Sequence, residues 1–226
     1  MTTSGTASFN LDFAEIAEES FERCGMELRS GYELKTARRS LNLLLVEWAN
    51  RGYNLWTLEE GALLLSKGQS TYDLPADTVD LADHVVRTGV SFNQSDISIS
   101  RISNSTYSSI PNKASQGRPV QLVVLRLADN PKVVVWPVPD NDTYTLVYWR
   151  LRRIQDTGPG GTKTMDVPFR FLNAMIAGLA YYLSMKIPVD PQKRMELKLD
   201  YEQQFQLASD EDREKSPVRF VPRVSY

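Results

Sequence analysis

His84, in the stretch DLADHVV, and Cys24 are the chain's single histidine and single cysteine among its 226 residues. A histidine acts as a general base near neutral pH, and a thiolate acts as a nucleophile or soft ligand, when a second group activates it. No such partner is written nearby. With no His/Cys cluster at metal-ligand spacing, neither a metal site nor a His–Cys shuttle is expected. His84 reads as a partly buried strand residue, and Cys24, towards the end of an amphipathic helix, as a small buried hydrophobe. Four carboxylates, Glu59, Glu60, Asp83 and Asp142, are the kind of side chain from which a glycoside hydrolase builds its acid/base pair. No motif joins them, and solvated acids are the norm on surfaces. The glycine-rich TGPGGTKT over 157–164 lies between an expected strand and an expected helix, as a phosphate-binding loop would. It departs from that motif, because Thr162 replaces the glycine before the lysine and Pro159 lacks a backbone donor. It reads as a connector. The chain is therefore expected to be no enzyme, with no catalytic residue, metal or cofactor.

The elements that would position these side chains form an ordinary globular protein. Lys and Arg number 26 against 28 Asp and Glu, giving a net charge of −2, and 42% of residues are hydrophobic. That balance argues against a broad grip on nucleic-acid phosphates. MTTSGTASFN at the start has neither a basic region nor an apolar run, so no signal peptide is expected. The longest apolar stretch, Phe171 to Met185, is shorter than the roughly 20 residues a bilayer span requires. A buried helix, and no membrane contact, is expected there.

Asn10 is expected to cap a first helix ending at Gly25, in which Phe13, Ile16, Ala17, Phe21 and Cys24 recur at helical spacing. YELKTARRSLNLLLVEWANRG is the clearest helix, with Leu34, Ala37, Leu41, Leu44, Leu45 and Trp48 in one stripe. From about residue 57 to 154 the period approaches 2, and PVQLVVLRL, KVVVW and TYTLVYWRLRRI carry the β-branched and aromatic residues that suit strands. A strand and a short helix or loop are expected within Ser91 to Ser109. Helix then returns over Phe169 to Met185, capped by Asp166 with Pro168 in the first turn, and again after Asp190-Pro191. The expected fold is α+β, a discontinuous α-helical bundle with an inserted antiparallel β domain and an extended C-terminal tail. Its divisions are 1–56 and 166–210 for the helical domain, 57–165 for the β domain and 211–226 for the tail.

The tail, SPVRFVPRVSY over 216–226, is too proline-broken for a helix. In an extended chain Val218, Phe220, Pro222, Val224 and Tyr226 share one face, and Arg219, Arg223 and Ser225 the other. Such a strip needs a surface to lie against. In the β domain, Trp136 beside Pro137 and Pro139 either caps the domain or faces a partner.

The helix RRSLNLLLVEWANRGYNLW, followed by GQSTYDLP, GRPVQL, VVVWPVPDNDTYTLVYWR and a hydrophobic last pair of helices, resembles the head-to-tail adaptors of short-tailed phages. This is the family of tail tubular protein A and packaged-DNA stabilisation proteins. The likeness runs from about residue 10 to 210. It implies a non-enzymatic ring of twelve subunits that docks under the portal protein, receives the tail nozzle protein and helps retain packaged DNA. The virion's head-to-tail junction would be its place, after synthesis in the host cytoplasm. Double-stranded DNA would pass through the lumen with weak, non-specific contact. By position, the portal-binding segment would be the tail, with Pro217, Val218, Arg219, Phe220, Val221, Pro222, Arg223, Val224 and Tyr226 in contact. Trp136, Pro137 and Pro139 are candidates for the nozzle or a neighbouring subunit. Two other readings are a virion-associated cell-wall hydrolase using a carboxylate pair and a tail-completion protein at another junction.

Overall fold

The computed structural model describes residues 3–52, 55–89 and 92–213. In chain order they form α1 (Phe13–Arg23), α2 (Gly31–Arg51), β1 (Leu58–Leu64), β2 (Thr71–Asp73), β3 (Thr78–Thr88), β4 (Ser95–Ser98) and β5 (Ser100–Arg101). There follow α3 (Asn104–Ser108), β6 (Gln121–Leu125), β7 (Lys132–Trp136), β8 (Thr145–Arg152), α4 (Leu172–Ser184) and α5 (Pro191–Glu211). The fold is α+β. One unit joins Met1–Leu55 to Ile154–Tyr226 and holds the long helices, and Trp56–Arg153, inserted between those two stretches in the sequence, forms a β unit. The glycine-rich connector clusters with the helices, because β8 ends at Arg152 and Thr157 N already donates to Asn42 Oδ1 at 2.9 Å.

Local chemistry starts each helix. Asp12, not Asn10, caps α1: its carboxylate accepts from Glu15 N, and the Glu15 carboxylate accepts from Asp12 N, both at 2.9 Å. This reciprocal capping box satisfies two orphan donors, whereas Asn10 Oδ1 engages only its neighbour Leu11 N. Ser30 and Glu33 build a second box before α2. Asp190 accepts from Gln192 N and Lys193 N, with Pro191 in the first turn of α5. The expected cap at Asp166 is replaced. That carboxylate accepts from Gln155 N at 3.1 Å, and Pro168 leads uncapped into a 3-10 turn, Phe169–Phe171, before α4.

α4 is buried on nearly every side and packs against α1, α2 and α5. Gly178 permits this closeness, since a Cβ there would lie 2.8 Å from Leu44 Cδ2 and 2.9 Å from Tyr201 Cε2. A polar network crosses the same core. Trp48, fully buried, donates from Nε1 to Tyr201 Oη at 3.0 Å, and Tyr201 donates to Glu47 Oε1 at 3.2 Å. Tyr182 Oη donates to Glu47 Oε2 at 2.6 Å, while Arg51 pairs with Glu47 and, at 2.8 Å, with Glu202.

The β unit has two four-stranded sheets, in the orders β1-β8-β3-β4 and β2-β7-β6-β5. Every pairing is antiparallel except β5 with β6, which is parallel. One core joins the sheets: Leu81, Val86, Leu146 and Tyr148 of the first meet Leu122, Val124, Val133 and Val135 of the second. Gly61, opposite Tyr148 in the β1–β8 register, leaves room for that ring, which a Cβ would approach to 2.5 Å. A buried Asp80 on β3 ties the sheets further through Arg101 of β5 at 2.8 Å and through Arg126.

Candidate assembly surfaces

Of the residues that could do chemistry, Cys24 belongs to the helical unit, and His84, Glu59, Glu60, Asp83 and Asp142 belong to the β unit. His84 sits on β3 opposite Tyr148. Burial holds its imidazole pKa below the ordinary value, against the attraction of Asp83. Cys24 is buried, and its Sγ donates to Ala180 O at 3.3 Å. Removal from water pushes the thiol up to about 11, so it is protonated rather than poised for attack. Glu59 accepts from Arg150 at 2.7 Å and Arg152 at 2.6 Å, Asp142 accepts from Lys67 N, and Asp83 accepts from His84 N. Glu59 thereby braces β8, while Glu60 and Asp83 are exposed and flank Trp149 of β8 in the sheet register. Among the described residues no group of three or more His, Cys, Asp or Glu could hold a metal ion. Nor is any described helix long and apolar enough to cross a membrane.

The glycine-rich loop serves α1. Its carbonyls at Lys163 and Gly161 accept from Phe13 N at 3.1 Å and Ala14 N at 3.0 Å, and Gly160 O accepts from Arg38 Nη2 at 2.7 Å. With the Asp12 carboxylate on Glu15 N, the first three helical donors are all occupied. A phosphate cradle presents free backbone donors, and here oxygens stand in that place.

Of the aromatic–proline group, Trp136 ends β7, half-buried, and its Nε1 donates to Asn112 O at 3.1 Å. The Trp136–Pro137 bond is cis, and Pro139 is buried, with its carbonyl accepting from Gly68 N at 2.9 Å. The loop before β6 thus covers part of this group. Pro217, Val218, Arg219, Phe220, Val221, Pro222, Arg223, Val224 and Tyr226 lie outside the described residues.

Three apolar surfaces of the helical unit stand out among the described residues. Along α2, Leu43 and Val46 are more than half exposed, one turn apart on the side away from Leu41, Leu44 and Trp48. On α5, Met195 and Leu199 are likewise exposed opposite the buried Leu197 and Tyr201. The third surface is a groove of about 940 Å³ floored by Phe9, Leu11, Phe169, Leu172 and Ile176. Phe9 and Phe169 are each 77% exposed. One wall is acidic, formed by Glu15, Glu18, Glu19 and Glu22 of α1. Their spacing of three, four and seven residues makes one stripe down the helix, a signal legible in AEIAEESFER although it is no catalytic pattern. The floor is not legible in that way, because its residues come from chain segments about 160 positions apart.

A model of a protein family, described as SU10 adaptor protein, matches residues 13–221. No curated protein matches the chain.

Proposed function

Because the chain belongs to the SU10 adaptor protein family, whose members are structural bacteriophage proteins, we propose that it joins portal to tail nozzle as a ring, with twelve subunits. In that position it helps retain packaged DNA. The family match over nearly the whole chain carries this reading. A cyclic ring needs two different, mutually complementary patches on each subunit. The outward rows Leu43/Val46 on α2 and Met195/Leu199 on α5 suit that requirement. A net charge of −2 favours a conduit that contacts passing DNA only weakly and without sequence preference.

The segment Ser216 to Tyr226 is the proposed portal contact. In a groove, Val218, Phe220, Val224 and Tyr226 would each contribute roughly 1.5–3 kcal/mol by burial. Ordering the segment costs about 1–2 kcal/mol per residue, so one tail binds weakly. Tails of a whole ring bind collectively, each docking raising the effective concentration of the next. The test is co-sedimentation with portal rings of the full chain, of the chain lacking 216–226 and of Phe220→Ala. Attachment should vanish on truncation and weaken in Phe220→Ala, with circular dichroism unchanged. Truncated protein that sediments at full occupancy refutes this assignment.

A further inference from the structure

Before any portal is met, the apolar groove beside α1 already has a matching segment within reach. Its floor is hydrophobic, with Phe9 and Phe169 largely exposed, and its wall is the stripe Glu15, Glu18, Glu19 and Glu22. Glu19 is paired with Arg23 at 3.1 Å, and the Glu15 carboxylate caps Asp12 N. Glu18 and Glu22, one turn apart, are exposed and have no cationic partner among the described residues. The groove therefore offers apolar area next to uncompensated negative charge. An occupant that suits it has alternating apolar and basic side chains.

The sequence beyond the described residues has that pattern, with Val218, Phe220, Val224 and Tyr226 alternating with Arg219 and Arg223. Its starting point is also right. The last turn of α5 is fastened by Asp212, which pairs with Arg170 and accepts from Leu55 N at 3.2 Å. Arg170 is the neighbour of Phe169, which lines the groove. The chain thus leaves α5 next to Arg170, one residue from the groove's Phe169. Ser216 is four residues beyond Asp212, and an extended chain covers up to about 3.3–3.6 Å per residue. Val218 to Val224, in extended form, spans about 20 Å, against roughly 10 Å of helix between Glu15 and Glu22. Long arginine stems allow guanidinium groups to reach the acidic wall while the apolar face lies on the floor.

We propose that in the free protein residues 216–226 dock in the groove of their own chain, with Phe220 and its apolar neighbours against Phe9 and Phe169. Arg219 and Arg223 then neutralise Glu18 and Glu22. A tethered segment has an effective concentration in the millimolar range, which favours its own groove over one on a separate copy. This docking does not rest on the portal reading, and no portal enters its test.

Spin labels at Ala7→Cys and Ser225→Cys of the full chain report the docking through double electron–electron resonance, with Cys24 protected by burial. The expected result is one narrow distance distribution, unchanged when labelled protein is diluted tenfold with unlabelled protein. In Glu18→Lys/Glu22→Lys the distribution should broaden at least twofold, and adding Arg219→Glu/Arg223→Glu should restore it. A narrow distance lost on dilution would place the segment in a neighbour's groove and overturn the proposal. A broad distribution in the unreversed charge background overturns it as well, leaving the groove to another occupant.

Discussion

Replacing Tyr201 by phenylalanine removes one hydroxyl from the centre of the helical unit and strands a buried donor. Trp48 and Tyr201 are at most 1% exposed, and the indole N–H of Trp48 has the Tyr201 oxygen as its acceptor at 3.0 Å. Glu47 loses one donor but keeps Tyr182 at 2.6 Å and Arg51. The cost is consequently dominated by the stranded N–H, about 1–3 kcal/mol for an unsatisfied buried group. A loss of about 2 kcal/mol is expected for Tyr201→Phe. In a Trp48→Phe background no N–H remains to be stranded, so the same change should cost about 1 kcal/mol or less. Urea unfolding followed by helical circular dichroism measures this, because among the described residues the five-residue α3 is the one α-helix of the β unit. A Tyr201→Phe loss that is the same in both backgrounds would refute the reasoning, since the energy would then lie outside the indole–phenol bond.

Gly178→Val should destabilise the same unit by about 1–3 kcal/mol through overpacking against Leu44 and Tyr201, measured by the same unfolding curves. For His84, burial lowers the folded pKa, so the unfolded chain takes up the proton first. Stability present above about pH 6.5 should be lost as pH falls through the folded value, and His84→Gln should flatten that slope. As the only histidine, its NMR titration is unambiguous, and a midpoint at or above about 6.5 contradicts the assignment. Cys24, held protonated up to about pH 11, should react with a thiol-specific disulfide reagent at neutral pH roughly a hundredfold more slowly in the native protein than in urea. Equal rates would mean that the thiol is accessible.

Much of the architecture is written locally. The apolar stripe of α2 and the Asp190-Pro191 start of α5 depend on neighbours within a few residues, so sequence alone identifies these helices. The same holds for β6, β7 and β8, whose valines, leucines and aromatics prefer a pleated, half-buried surface. The inserted topology follows from that order of periods. Caps are less secure from sequence: Asn10 and Asp166 are of the right type, but Asp12 has the glutamate three residues on, and Asp166 meets Gln155 first.

Tertiary context decided the rest. LEEGALL and TVDLADHVVRT form β1 and β3 although their glutamates, aspartates and alanines favour strands little, because β8 lies between them with an edge for each. The parallel β5–β6 pairing rests on two residues of β5, too few for any period to reveal. The charge stripe of the groove belongs to one helix and can be read from its sequence, but the floor joins Phe9 to Phe169. Only the packing of α1 against α4 brings such distant residues into one surface, since no local pattern encodes a contact across 160 positions.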